Sequence, residues 1–565
     1  MYFFLVALLL AISCNQLTAS INRQSIDSVK VHTPLGSVVG EVIGNVNEFK
    51  GIPFGEPPVG DLRFRSPRPV KPWSEDLLPR RGIKCPQLAV GGPLKTFQGS
   101  EDCLYLDVFA PNGLLENETV PVMVYLYGGA FVMGDSSQEK WYDGHNIAST
   151  QRVILVVPNY RVNAFGFLAT QELRDEDDDG STGNYGIQDQ RLALHWVQDN
   201  IASFGGNKDK VTIFGQSAGG MSVCTHFANK HNSGLFEAAV MESGSCDSPE
   251  FIFPLGKALE FGELYASLLG CGDVNGGEKL ACLRKIDTAD IMWGFVRAIF
   301  GPEPPPDFEP VLAPLFGFGP VIDGTEKGLP LMPYESIVKG EHNANVRFIA
   351  GTVANEGSIF VPMTKFIVPG TTLPLKDGMQ SLVLHHVLDA RIGKDGVDAN
   401  IGTLLDVYYP LSELKTVDNQ MSKILRDYIF TCGTRRVLRW TDKWSTDKNI
   451  RGYYFDYTTD WEDMKIGGSY HTSELYFVFN NSWPTEIHHF SERDENIVEV
   501  VQDFWVGFAR DDSAALDAWP RFGLDERDTI IHFVKEGGVA WSYKDEFGDV
   551  CDFMDSLFDD FPIDR

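Results

Sequence analysis

Val211-Thr212-Ile213-Phe214-Gly215-Gln216-Ser217-Ala218-Gly219-Gly220 joins a β-branched and aromatic run to a G-x-S-x-G sequence. The run suits a buried strand, and Met221 to Ala228 can continue as a helix. That succession is the sequence form of a nucleophile elbow, a sharp strand-to-helix turn that lifts one serine Oγ clear of the chain. A side chain at Gly215 or Gly219 would clash where strand and helix converge. The pentapeptide alone fits an ordinary glycine-rich turn equally well, so the flanking elements carry the reading.

A serine hydroxyl is a poor nucleophile and needs a base, usually histidine, oriented by a carboxylate. After an elbow the order along the chain is Ser, then Asp or Glu, then His, each on a loop beyond a strand's carboxyl end. His471 follows the predicted strand Tyr453–Tyr457 on the small-residue loop Gly467-Gly468-Ser469-Tyr470. His226 and His231 lie too close to the elbow helix, and His385, His386, His488 and His489 stand in polar stretches. Glu356 sits just beyond the predicted strand Val346–Gly351, where a surface carboxylate is the competing reading. Pro121–Tyr127 reads as a strand buried on both faces and ends in Gly128-Gly129-Ala130-Phe131. Such a turn either supplies backbone N–H donors for an oxyanion or is only a tight turn.

Val153–Val157 and Phe236–Met241 read as further buried strands, and Gly183–Ile201 as the helix leading into the elbow. Strand, helix, strand in repeated alternation predicts an α/β fold with a large, mostly parallel central sheet flanked by helices. Short strands and turns over 29–66 predict an antiparallel edge. Insertions, above all the proline- and phenylalanine-rich Pro302–Phe318, are expected to form a pocket cap.

The chain has 565 residues, 43% of them hydrophobic, and shows no linker or repeat, so one domain over 21–565 is expected despite the length. Phe3–Ile12 is an apolar run too short to span a bilayer, with small residues at Thr18, Ala19 and Ser20; residues 1–20 read as a signal peptide. No later stretch reads as a membrane anchor. Sequons at Asn117 and Asn480 fit a secreted glycoprotein. In an exported chain Cys85 with Cys103, and Cys271 with Cys282, close loops suited to disulfides rather than metal. The net charge of −30 argues against nucleic acid and anionic membranes as partners. The acidic run Asp175–Gly180 begins like a calcium loop, but its twelfth position is Gly186 rather than glutamate, so it reads as a solvated loop. No metal or cofactor is expected.

Pro58-Val59-Gly60-Asp61-Leu62-Arg63-Phe64, Glu101-Asp102-Cys103-Leu104-Tyr105-Leu106, Gly183–Gln190, Phe214–Gly220, Pro320–Gly324, Asn355-Glu356-Gly357 and His471-Thr472-Ser473-Glu474-Leu475 occur in this order. Over about residues 29–551 the chain thereby resembles the type-B carboxylesterases, α/β-hydrolases that include cholinesterases, juvenile hormone esterases and the non-enzymatic neuroligins. The resemblance implies Ser217 as nucleophile, His471 as base then acid, and Glu356 as its orienting carboxylate. It also implies an oxyanion hole from the N–H groups of Gly129, Ala130 and Ala218. Ala130 replaces the more usual third glycine. The disulfides Cys85–Cys103 and Cys271–Cys282 fit the family, Cys432 and Cys551 match its third pair, and Cys224 and Cys246 are left as buried free thiols. Arg63 and Glu101 match an internal ion pair.

Two departures bear on substrate. The Pro86–Asp102 loop lacks the tryptophan with which cholinesterases hold a quaternary ammonium, and Gln216 stands where glutamate is usual, as in juvenile hormone esterases. The expected activity is that of a secreted serine carboxylic-ester hydrolase working on small esters through an acyl-enzyme, a general carboxylesterase rather than a cholinesterase. The alternatives are a catalytically silent structural or adhesion relative and a lipase-like hydrolase. Acyl and alcohol size and oligomeric state stay open.

Overall fold

The computed structural model describes residues 27–557 apart from internal stretches, the longest being 89–96, 301–316 and 365–373. The leader assigned to residues 1–20, and all but the last two residues of Pro302–Phe318, lie outside the described residues.

Among the described residues twelve strands form one sheet. β1 (Ser28–Thr33), β2 (Gly36–Ile43), β3 (Val46–Pro53) and β4 (Tyr105–Pro111) make its antiparallel edge. β5 (Val120–Leu126), β6 (Ile154–Pro158), β7 (Gly206–Gln216), β8 (Ala238–Glu242), β9 (Arg347–Val353), β10 (Ile450–Phe455) and β11 (Ile530–Phe533) run parallel. β12 (Val539–Ser542) closes the far edge antiparallel. The spatial order is β1-β2-β3-β4-β6-β5-β7-β8-β9-β10-β11-β12. The predicted parallel sheet with an antiparallel edge is therefore present. The strand read at Tyr453–Tyr457 begins three residues earlier, and two more strands, β11 and β12, follow it in the sheet. β11 is only four residues long with every second position half-exposed, too brief a pattern to stand out from its surroundings.

The central strands are packed on both faces, which is why they read as continuous apolar runs. Val122, Met123, Val124, Tyr125 and Leu126 in β5 and Val211, Ile213 and Phe214 in β7 are fully buried. Parallel register sets Leu126 beside Gly215, Gln216 beside Glu242, and Glu242 beside Gly351. The carboxyl ends of β5, β7, β8 and β9 thus finish level along one edge. Since β5 and β6 exchange places in the strand order, the chain leaves this edge in opposite directions there, which opens a crevice of the kind where α/β sheets bind ligands.

Helix α1 (Tyr185–Asn200) leads toward β7, and α2 (Ala218–Ala228) follows it. A buried pair fixes the start of α1: Arg161 donates to both oxygens of Asp189 at 2.8 Å. Arg63 grips Glu101 in the same forked way at 2.7 and 2.5 Å, as expected. Disulfides join Cys85 to Cys103, Cys271 to Cys282 and Cys432 to Cys551. The expectation of free thiols at Cys224 and Cys246 is corrected. They are bonded, with Cα atoms 5.7 Å apart, because α2 packs along β8 and brings its second turn against the chain leaving that strand.

Candidate active site

Ser217 stands at the junction of β7 and α2 with φ 60° and ψ −126°, a conformation that only a locked turn imposes on a residue with a side chain. The lock is steric. A Cβ on Gly219 would lie 1.9 Å from the Leu126 carbonyl oxygen, and one on Gly215 would lie 2.5 Å from the same atom. The glycines therefore let strand, turn and helix cross at backbone contact, and the serine is thrust out at the carboxyl edge.

β5 ends one residue before Tyr127, and Gly129, Ala130 and Phe131 all adopt positive φ, at 111°, 51° and 62°. Two residues with side chains held in this left-handed region are strained, each by roughly 1 kcal/mol or more. The loop is pinned by Val132 and Met133 N–H groups on the Gly129 carbonyl and by Asn163 N–H on that of Phe131. Left-handed geometry at Ala130 accounts for a glycine being the easier residue there. Gly128 packs directly on the elbow, where an added Cβ would meet Ser217 Cβ at 3.0 Å.

Glu356 opens a short 3₁₀ turn (Glu356–Ile359) just past β9 and is fully buried. Its Oε1 accepts the Val353 N–H at 2.9 Å, and its Oε2 lies 2.5 Å from His471 Nδ1. Two loops far apart in sequence are joined to allow this. Asn355 N–H donates to the Ser469 carbonyl at 2.8 Å, Asn355 pairs with Tyr470 as an isolated parallel bridge, and Ser469 Oγ donates to the Phe455 carbonyl. A carboxylate at Nδ1 requires a proton there, which leaves Nε2 as the ring's acceptor.

The ring of His471 is buried between Phe360 and Phe430, with centroids 5.3 and 4.7 Å away. Gln216 places its side-chain nitrogen 3.1 Å from Nε2 and 3.3 Å from Nδ1, which puts the amide on the flank of the imidazole. Among the described residues the Ser217 hydroxyl has no hydrogen-bond partner, so the structure joins Glu356 to His471 but not His471 to Ser217. In unliganded sites such bonds are often long and tighten only around substrate.

Sequence reasoning passed over the acidic ground behind this pair. Glu242 ends β8 beside Gln216, is fully buried, and accepts Trp505 Nε1–H at 2.5 Å on Oε1, while Oε2 has no partner among the described residues. Burial raises its pKa to about 8. Glu474, three residues after His471, is likewise pushed well up by burial and then by Glu356 and Glu242. Ser243 Oγ reaches it at 3.4 Å. A glutamate at a strand's end carries no sequence mark of such a state.

Glu242 thus holds its proton in the fold and loses it unfolded from about pH 4.5, so its contribution to stability is fully present below pH 4.5 and lost as pH rises to about 8. Glu242→Gln keeps an acceptor for Trp505 and removes the titration. Its stability relative to wild type is expected to climb by ~1.4 kcal/mol per pH unit across that window, read by urea unfolding at several pH values. A difference that stays flat with pH would refute the protonated state.

Residues 27–548 match the Carboxylesterase family. The chain belongs to that family. It is 31% identical over 513 residues to the para-nitrobenzyl esterase of Bacillus subtilis (strain 168), covering 89% of this chain and 94% of that one. It is 29% identical over 555 residues to a cocaine esterase of Homo sapiens, covering 92% and 91%. The acetylcholinesterase of Bungarus fasciatus is 31% identical over 530 residues, covering 87% and 81%. A solved structure of PNB esterase superposes with TM-score 0.73 at 28% identity, over 94% of this chain and 99% of that one. This carboxylesterase is accordingly a carboxylic-ester hydrolase of the α/β-hydrolase fold.

Proposed function

We propose that the protein hydrolyses small carboxylic esters through an acyl-enzyme on Ser217, as a general carboxylesterase rather than a cholinesterase. Ser217 Oγ attacks the ester carbonyl carbon as His471 Nε2 takes its proton, and Glu356 stabilises the imidazolium formed. The tetrahedral oxyanion is held by the N–H groups of Gly129, Ala130 and Ala218, the last at the positive end of α2. Its collapse breaks the bond to the alcohol oxygen, which leaves with the proton from His471. Water then adds to the acyl carbon by the same route and releases the acid. The Glu356–His471 contact at 2.5 Å, beside a serine held at φ 60°, is the observation that carries this reading. The absence of tryptophan between Cys85 and Cys103 supports a neutral alcohol group over choline.

The same proposal includes a leader over 1–20, a single catalytic domain over 21–565, export, and glycans on Asn117, which is exposed, and Asn480. Among the described residues no helix is long and apolar enough to cross a membrane.

A fluorophosphonate is expected to label the protein once, on the tryptic peptide 211–230, and to abolish turnover of a short-chain aryl ester in step with labelling. Butyrylthiocholine is expected to be turned over far more slowly than the aryl ester. Turnover that survives full labelling, or an adduct outside that peptide, would sink the acyl-enzyme on Ser217.

A further inference from the structure

Helix α2 is buried on all sides, yet one of its faces is polar. Ala218, Ser222 and His226 follow one another at four-residue spacing and so line a single stripe, which meets Gln190 of α1. Gln190, Ser222 and His226 are fully buried and Asn232 nearly so, and they form an unbroken chain. Asn232 Nδ2 lies 3.1 Å from His226 Nδ1, and His226 Nε2 lies 2.9 Å from Gln190 Oε1. Gln190 Nε2 donates to Ser222 Oγ at 3.0 Å, and Ser222 Oγ donates to the Ala218 carbonyl at 2.9 Å.

The direction of every bond follows from the two ends. Asn232 Nδ2 also reaches the His226 carbonyl at 3.2 Å, and a carbonyl only accepts, so the amide nitrogen faces His226 and its Nδ1 is bare. The ring proton then sits on Nε2 and points to Gln190 Oε1. At the other end Ser222 has one proton, given to the Ala218 carbonyl, so its oxygen must accept from Gln190. All four donations run the same way and finish on the first carbonyl of α2. Aligned donors polarise one another, and a carbonyl that accepts from them has a more positive N–H across its peptide bond, here that of Gly219 in the first turn. Apolar side chains of similar shape would fill the same space without desolvating four polar groups, so packing does not account for the chain.

We propose that Ser222, oriented by Gln190, His226 and Asn232, is a positioning residue that fixes the first turn of α2 and with it the Ala218 N–H aimed at the oxyanion. This rests on the catalytic reading of Ser217 and Ala218 given above. The relay is set by His226 remaining neutral, and burial together with the Arg191 charge holds its pKa down to about 3.

The test compares wild type with Ser222→Ala and Gln190→Leu, active-site concentration being counted by fluorophosphonate titration so that misfolded protein drops out. Ser222→Ala is expected to lower kcat for an aryl ester roughly tenfold, less than the loss of a direct oxyanion donor, with KM unchanged. Its inhibition constant for an alkyl trifluoromethyl ketone, which binds as an oxyanion adduct, should rise by the same factor. Gln190→Leu, with Ser222 still present but unguided, should move both quantities the same way by a smaller factor, and it answers the question if the alanine variant does not fold. An unchanged kcat, or a fall in kcat without matching loss of ketone affinity, overturns the positioning role alone. A wild type that neither turns over ester nor takes the label overturns the catalytic reading and this one with it.

Discussion

His471→Ala is expected to lower kcat for a short aryl ester by about 10⁴-fold or more, with KM little changed. Among the described residues the imidazole is the only one brought to this edge with a carboxylate behind it: Nδ1 is held by Glu356 and Nε2 is left to accept. Without it the Ser217 hydroxyl keeps its proton and attacks no faster than water would. Residues that act as one unit lose their effect together. Ser217→Ala, His471→Ala and the double variant are therefore expected to fall to a common floor, still above the uncatalysed rate through the N–H groups of Gly129, Ala130 and Ala218. Glu356→Gln is expected to lose less than the floor, since it leaves the base in place and removes the charge that fixes its tautomer. If the double variant fell by the product of the two single effects, Ser217 and His471 would not be working as a pair.

What the sequence made legible follows from how locally each feature is encoded. The elbow is read easily because strand, glycines, serine and helix all lie within eighteen residues, and Gly215 and Gly219 both answer the same close approach of the Leu126 carbonyl oxygen. The pairing of Glu356 with His471 spans 115 residues and depends on Asn355 meeting Ser469 and Tyr470, a contact that no periodicity displays. Order along the chain and placement after strands sufficed to nominate both residues, but not their distance. The bond between Cys224 and Cys246 was missed for the same reason: helix-on-strand packing puts them together, and spacing does not. Glu242 is the deepest omission. Its neighbours Trp505, on a helix, and Glu474, on the turn after His471, stand 230 and more residues onward, and burial among such distant segments is what raises the pKa of an ordinary glutamate.

Gly219→Ala is expected to reduce stability by about 3 kcal/mol or more, the upper end of overpacking losses, or to prevent folding. A methyl there would stand 1.9 Å from the Leu126 oxygen, 2.8 Å from its carbonyl carbon and 2.9 Å from that of Tyr127. All three are backbone atoms at the end of β5, between two strands that pack on both faces, so no side chain can turn aside to make room. Relief requires the end of β5 to move away from α2. Since Gly128, Gly129 and Ala130 continue directly from that end, the same movement carries the candidate oxyanion donors away from Ser217. Variants that do fold should therefore show a fall in kcat as well as in the urea midpoint. Gly256, in the helix Leu255–Leu268, has no described residue within 4 Å of an added Cβ, and Gly256→Ala should change stability by no more than about 1 kcal/mol, in the stabilising direction. The pair separates crossing geometry from the general effect of replacing a glycine. A Gly219→Ala protein with wild-type midpoint and wild-type kcat would mean that strand and helix can part without consequence, and that the close crossing at the elbow is not what presents the serine.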